Sequence, residues 1–326
     1  MTLKKIDTDT LQLGMYVVMP SSWDTHPFLR NKFRLTSKDQ LDKIIEAGFT
    51  EILIDTEKGL PSGPPPAERV KKPKEQKEKD EPRIVTDTLR EAIKDRASPA
   101  REKSRIVRDC TMTMMESLLN RPTAKNIQTA KDAISEIVEM MLTDDDTTSY
   151  LTKITSHDFF TYTHSVNVGF LAVSMAKALF RDSNKHNLHE LGMGFFLHDL
   201  GKVRIDPAII SKPGRLTDDE MNDMRKHPSH GFKILSDAHQ MTEECKTIVL
   251  QHHERYDGTG YPKKLRGNEI HLYGKICCIA DVYDALTSKR PYREPLPPFD
   301  ALILMKKEMI NHFQKDLYEK FVFMLS

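Results

Sequence analysis

Phe195-Phe196-Leu197-His198-Asp199-Leu200-Gly201-Lys202 carries an apolar helical run straight into a His-Asp pair, a glycine and a lysine. An imidazole, a carboxylate and an ammonium are costly to bury together unless they pair with one another or bind a metal. The stretch is therefore expected to form one wall of a metal-centred site.

The flanking sequence extends the pattern. Leu188, Leu191, Phe195 and His198 recur at helical spacing, so His198 points where the leucines point. The same holds for His164, Val168, Leu171, Met175 and Ala178. Downstream, Thr217-x-x-Glu220 predicts a capping-box start for one helix containing Met221, Met224 and His227. Cys245, Ile248, Val249 and His252 make another inward stripe, and Lys275 to Leu286 brings Cys277, Asp281 and Asp284 to one side.

Helical segments thus aim His164, His198-Asp199, His227, His252-His253 and Asp281 at a shared interior. A lone inward histidine is ordinarily a hydrogen-bonded core residue. A core cannot satisfy five imidazoles and two carboxylates cheaply, whereas divalent cations take all of them as ligands. The set exceeds what one ion needs, which predicts two divalent metal ions bridged by Asp199. Mixed imidazole and carboxylate ligation without thiolate suits iron or manganese, with nickel or zinc as alternatives. Two such ions can hold a bridging water as hydroxide and brace an attacked phosphorus.

Composition bounds the rest. Lys+Arg 49 against Asp+Glu 48 over 326 residues leaves a formal charge of +1, so no global field favours duplex nucleic acid or an acidic membrane. Cys110, Cys245, Cys277 and Cys278 show no C-x-x-C spacing, which argues against a disulfide framework and suits a reducing compartment. No apolar run has membrane-spanning length, and the expectation is a cytoplasmic protein.

Four segments are expected. Residues 1–58 predict a small α+β domain, possessing strand-like stretches at 11–19 and 51–55, helical spacing from Thr36 to Ala47, and Trp23 as a packing anchor. Residues 59–83, rich in Pro, Lys and Glu, predict an extended linker. Residues 84–146 carry amphipathic helical patterns, which suit either a signalling or dimerisation connector or the first helices of the next domain. Residues 147–326 predict an all-helical bundle, so the fold class is mainly α with a small α+β domain ahead of it.

Three motifs in order, His198-Asp199-Leu200-Gly201-Lys202, the run His252 to Pro262, and the run Asp281 to Arg293, resemble the HD-GYP family. These are bacterial cyclic di-GMP phosphodiesterases within the HD hydrolase superfamily, and the resemblance covers residues 147 to about 320. Residues 1–58 also resemble a small domain often found ahead of such modules, for which a regulatory role is expected. The resemblance implies metal ligands at His164, His198, Asp199, His227, His252, His253 and Asp281, with Asp199 and Lys202 catalytic. It further implies that Lys202 approaches the scissile phosphate, that Gly260-Tyr261-Pro262 shapes the substrate mouth, and that Arg290 and Arg293 hold phosphate. The substrate implied is cyclic di-GMP, opened to linear pGpG with GMP as a further product. Two alternatives are a preference for 3',3'-cyclic GMP-AMP, and a cyclic di-GMP receptor with little turnover that signals to a protein partner or within a homodimer. Where some members carry a third-metal glutamate, this chain has Phe160, which favours two ions. His157-Asp158 lacks the following Gly-Lys and is expected to be a decoy, and His230 a neighbour of the ligand His227.

Overall fold

A computed structural model of the chain describes residues 3–19, 32–35, 40–41, 44–45, 51–58, 84–153, 161–181, 183–289 and 294–325. Trp23, the 59–83 linker, His157-Asp158, Phe160, Arg290 and Arg293 lie outside the described residues. The chain divides into two compact units, residues 1–79 and 80–326.

The first unit is built on a four-stranded antiparallel sheet of β1 (Leu3–Asp7), β2 (Tyr16–Val18), β3 (Lys32–Arg34) and β4 (Glu51–Asp55), in the order β1-β4-β2-β3. β4 lies where strand-like alternation predicts it. Ile52 and Ile54 are buried while Leu53 faces out, and Ile54 pairs with Lys4 on one side and Val17 on the other. β1 and β3 are not apparent from the sequence: three residues of β3 and the single buried residue of β1, Ile6, give too little alternation to recognise. Gln40, Leu41, Ile44 and Ile45 are helical, and Ile44 joins Met15, Val17, Leu35 and Ile54 in an aliphatic core.

The second unit contains α1 (Asp87–Lys94), α2 (Ala100–Asn120), α3 (Ala124–Thr143), α4 (Asp145–Lys153), α5 (Thr161–Phe180), α6 (Leu188–Leu197), α7 (Pro207–Ile210), α8 (Asp218–Met224), α9 (His227–Asp237), α10 (Glu243–Gln251), α11 (Leu272–Thr287), α12 (Pro298–Glu308) and α13 (Lys315–Leu325). Residues Val166 to Ala176 of α5 are all buried, as an all-round apolar helix requires, and α2, α4, α6 and α11 pack around it. Phe170 of α5 meets Phe196 of α6 edge to face, ring centroids 5.4 Å apart. Leu89, Met114, Leu118 and Ile134 of α1–α3 belong to the same hydrophobic core as Phe195, Ile276 and Phe321. No described helix is long and apolar enough to cross a membrane.

One expected helix is two. The capping box of Thr217 and Glu220 is present, but α8 ends at Met224 and His227 opens α9. Pro228 explains the break: lacking an N–H and fixed in φ, proline suits the first turn of a helix and not its interior.

Candidate metal centre

Each candidate ligand but Asp281 sits at or near a helix end. His164 lies in the first turn of α5, His198 caps the C-terminus of α6, His227 is the first residue of α9, and His252 caps α10. Asp281 projects from α11. Asp199 turns the chain from α6 into the 3-10 helix Leu200–Arg204. There Gly201 crosses the start of α9 so closely that a Cβ would fall 1.9 Å from the His227 carbonyl oxygen and 2.4 Å from the Gly231 nitrogen. Only glycine permits that approach, which brings His227 against Asp199.

The side chains converge in two groups, Asp199 with His227, His252 and His253, and His164 with His198 and Asp281. Both carboxylates reach across the division. Asp199 Oδ2 lies 3.5 Å from both His164 Nε2 and His198 Nε2, while its Oδ1 lies 3.2 Å from His227 Nε2 and 3.8 Å from His252 Nε2. Asp281 Oδ1 is 3.0 Å from His164 Nε2, and its Oδ2 is 3.4 Å from His253 Nδ1.

Outer partners fix the rings. His198 Nδ1 faces the Phe195 carbonyl at 2.8 Å, His227 Nδ1 the Met224 carbonyl at 2.8 Å, and His252 Nδ1 the Val249 carbonyl at 3.0 Å. A carbonyl can only accept, so each Nδ1 carries the proton and each Nε2 turns a lone pair inward. His164 Nδ1 is held instead by Asp284 Oδ2 at 2.6 Å. Sequence spacing put Asp284 on this face, but its part as the orienter of a ligand depends on a helix 120 residues away.

Protonation follows burial and partners. Burial pushes His227 down to about 3 and lowers His198 and His253, which leaves the neutral imidazoles that ligate metals. At His164 burial also opposes the charge, but hydrogen bonds to Asp281 and Asp284 raise it to about 9. Burial opposes ionisation of Asp199 as well, yet the Lys202 ammonium beside it holds its carboxyl well below the usual range.

A divalent cation fits this set. Among the described residues, His198 Nε2 and Asp199 Oδ1 are buried without a hydrogen-bond partner, and both point into the cluster. Unpaired buried acceptors are expensive, and a cation is the partner that both accept. The HD dipeptide thus belongs to a divalent-metal site.

Lys202 Nζ donates to Asp199 Oδ2. The Gly260-Tyr261-Pro262 loop forms the rim: the Tyr261 ring lies over His253 with centroids 4.6 Å apart, and Arg225 lies over the Tyr261 ring at 5.8 Å. Glu254, almost fully buried, anchors the loop by accepting the N–H groups of Lys263 at 2.7 Å and Leu265 at 2.9 Å. A Cβ at Gly260 would lie 2.3 Å from the Arg255 nitrogen, so the loop folds back on its own main chain there. Beside Tyr261 a cavity of about 430 Å³ is lined by Arg225, Lys226 and Lys264, cations suited to a phosphate-bearing ligand. Sequence reasoning missed Glu254 and Arg225, whose roles arise only from tertiary contact. His230 stands outside both ligand groups, while His271 caps α11 and His186 stacks on Phe180 with centroids 3.8 Å apart.

Comparison with known proteins agrees with this geometry. The HD domain family matches residues 136–317, and a domain of unknown function, DUF3391, matches residues 3–144. A cyclic di-GMP phosphodiesterase of Pseudomonas aeruginosa is 33% identical over 344 residues, covering 98% of this chain and 76% of that protein. The cyclic di-GMP phosphodiesterase response regulator RpfG of Xanthomonas campestris is 50% identical over 99 residues, 30% of this chain and 26% of that protein. A 3'3'-cGAMP-specific phosphodiesterase of Vibrio cholerae is 40% identical over 124 residues, 38% of this chain and 24% of that protein. In fold, the chain is similar to an HDG"Y"P protein of Bdellovibrio bacteriovorus, with TM-score 0.64 and 17% identity over 99% of both chains. With its helical bundle, its paired His/Asp groups and these matches, the chain belongs to the HD-domain family of metal-dependent hydrolases.

Proposed function

We propose that this chain is a phosphodiesterase that opens cyclic di-GMP to linear pGpG. The observation that carries the reading is the Asp199 carboxylate, one oxygen facing His164 and His198 and the other facing His227 and His252. It supports a centre of two ions, iron or manganese ahead of nickel or zinc, held by His164, His198, Asp199, His227, His252, His253 and Asp281. Phe160, in place of a third-metal ligand, favours two ions over three. Bound there, divalent ions supply acidified water and charge for phosphate oxygens, the chemistry of phosphodiester hydrolysis.

The chain's own residues do the remaining work. Asp199 serves as the shared ligand, and Lys202, bonded to it, brings an ammonium to the attacked phosphate. The Gly260-Tyr261-Pro262 rim receives the dinucleotide, and Arg290 and Arg293 are assigned to its phosphates on the chemistry of the guanidinium group alone. Residues 1–58 act as a regulatory domain tethered by 59–83, and the helices of 84–146 belong to the catalytic unit of a cytoplasmic signalling enzyme.

Anaerobically purified protein is expected to carry iron or manganese by elemental analysis and to release pGpG from cyclic di-GMP. The double variant His198→Ala with Asp199→Ala is expected to lose both metal and turnover; unchanged turnover overturns the reading. The similarity to a protein named as specific for 3'3'-cGAMP supports a second substrate reading. Parallel assays of the two cyclic dinucleotides decide between them by kcat/KM.

A further inference from the structure

The helix α2 precedes the segment that matches the HD domain, which begins at residue 136, yet it sends a buried cation toward the metal centre. Arg108 of α2 is 3% exposed. Its Nη2 donates to Asn167 Oδ1 on α5 at 2.9 Å. Asn167 Nδ2 in turn donates to Asp284 Oδ1 on α11 at 2.6 Å, and Ser288 Oγ donates to the same oxygen at 3.0 Å. The other oxygen, Asp284 Oδ2, accepts the hydrogen bond of His164 Nδ1–H at 2.6 Å.

The polarity of this chain is forced. A guanidinium only donates and a carboxylate only accepts, so an amide between them can lie one way round. Asp284 is thereby clamped on one oxygen by two donors, leaving the other fixed on His164. Burying an arginine among helices is costly unless its charge is answered, and Asp284 supplies the answering charge in this network.

Resting on the reading of His164 as a metal ligand, we infer that Arg108 is a positioning residue for the metal centre, acting through Asn167 and Asp284 on the His164 ring. The HD centre then draws part of its support from the stretch matched by the domain of unknown function, residues 3–144.

The test uses the whole chain, stripped of metal anaerobically, with Mn²⁺ as the probe. Arg108→Met keeps the bulk of the side chain and removes its charge and fork. Met115→Ala, on the same helix and fully buried, is the control for general loosening of α2. Arg108→Met is expected to raise the Mn²⁺ Kd about 10- to 100-fold, the usual range for losing an outer partner of a metal ligand, and to alter the Mn²⁺ EPR spectrum. Met115→Ala is expected to lower Tm with Kd unchanged within about twofold. Asn167→Ala is expected to weaken Mn²⁺ comparably, and combined with Arg108→Met to add little, since both cut one chain.

Wild-type affinity in Arg108→Met, or an equal loss in Met115→Ala, overturns the inference. If Arg108→Met does not fold, Arg108→Lys retains the charge without the fork. A raised Kd there supports the relay, and wild-type affinity overturns it. A wild-type chain that takes up no Mn²⁺ overturns the metal-centre reading along with this inference, and the wild-type control tells that failure apart.

Discussion

The two units bury different things. The sheet unit's core is aliphatic, with Met15, Val17, Leu35, Ile44 and Ile54 fully buried and only Thr8 and Asp55 as buried polar residues among those described. The helical unit buries His164, His198, Asp199, His227, His252, Asp281 and Asp284 in a core that also holds Phe170, Phe195 and Phe196. A purely structural core has no use for that cost. The difference teaches where chemistry is stored: the sheet unit devotes its interior to stability, and the helical unit gives up part of its stability to hold together side chains that could ligate a metal.

The comparison can be broken by substitution. The largest effect is expected from Phe196→Ala, about 4 kcal/mol of lost stability in urea unfolding, because a fully buried ring leaves a cavity among rigid helices. Ile54→Ala, also fully buried, is expected to cost about 3 kcal/mol and to speed hydrogen exchange in residues 3–19. Its Mn²⁺ affinity is expected to match the wild type, and a change there would dissolve the contrast.

Metal addition at a hundredfold excess over Kd is expected to stabilise the chain by about 2.7 kcal/mol, seen as a rise in Tm. That rise is expected to vanish in His198→Ala with Asp199→Ala. His198→Leu sharpens the point further. It removes an unpartnered buried nitrogen together with the Nδ1 bond to the Phe195 carbonyl, so the metal-free protein is expected to keep its stability within about 1 kcal/mol while losing metal-dependent stabilisation.

The smallest effect concerns Asp144, which accepts Thr147 N–H at 2.9 Å and the Lys103 ammonium at 3.0 Å. Burial opposes its ionisation, but these bonds outweigh it and hold the carboxyl below the usual carboxylate range. A depressed folded pKa gives stability that is full above the unfolded value and lost as pH falls through the folded one. Asp144→Asn is therefore expected to cost about 1 kcal/mol at pH 7 and progressively less below pH 4.

Much of the site was legible because helical periodicity is local. His164 and His198 fall in step with leucines, and that alone aims them inward. The break before His227 was legible too, in Pro228, but the capping box upstream drew the helix through it. Arg108, Asn167 and Glu254 were not legible, because a buried polar residue declares its partner only once distant helices meet. Short β1 and β3 failed for the opposite reason, since pairing with β4 and β2 and not their own pattern makes them strands.

The crossing at Gly201 has a consequence for precision. Main chain rests on main chain there, with no side chain between to change rotamer or swap for a neighbour of similar size. The interval between Asp199 and His227 is thus set by van der Waals contact between two stretches of main chain, which no change of rotamer can alter. Sequence drift can retune the rim and the outer partners while that interval stays the same.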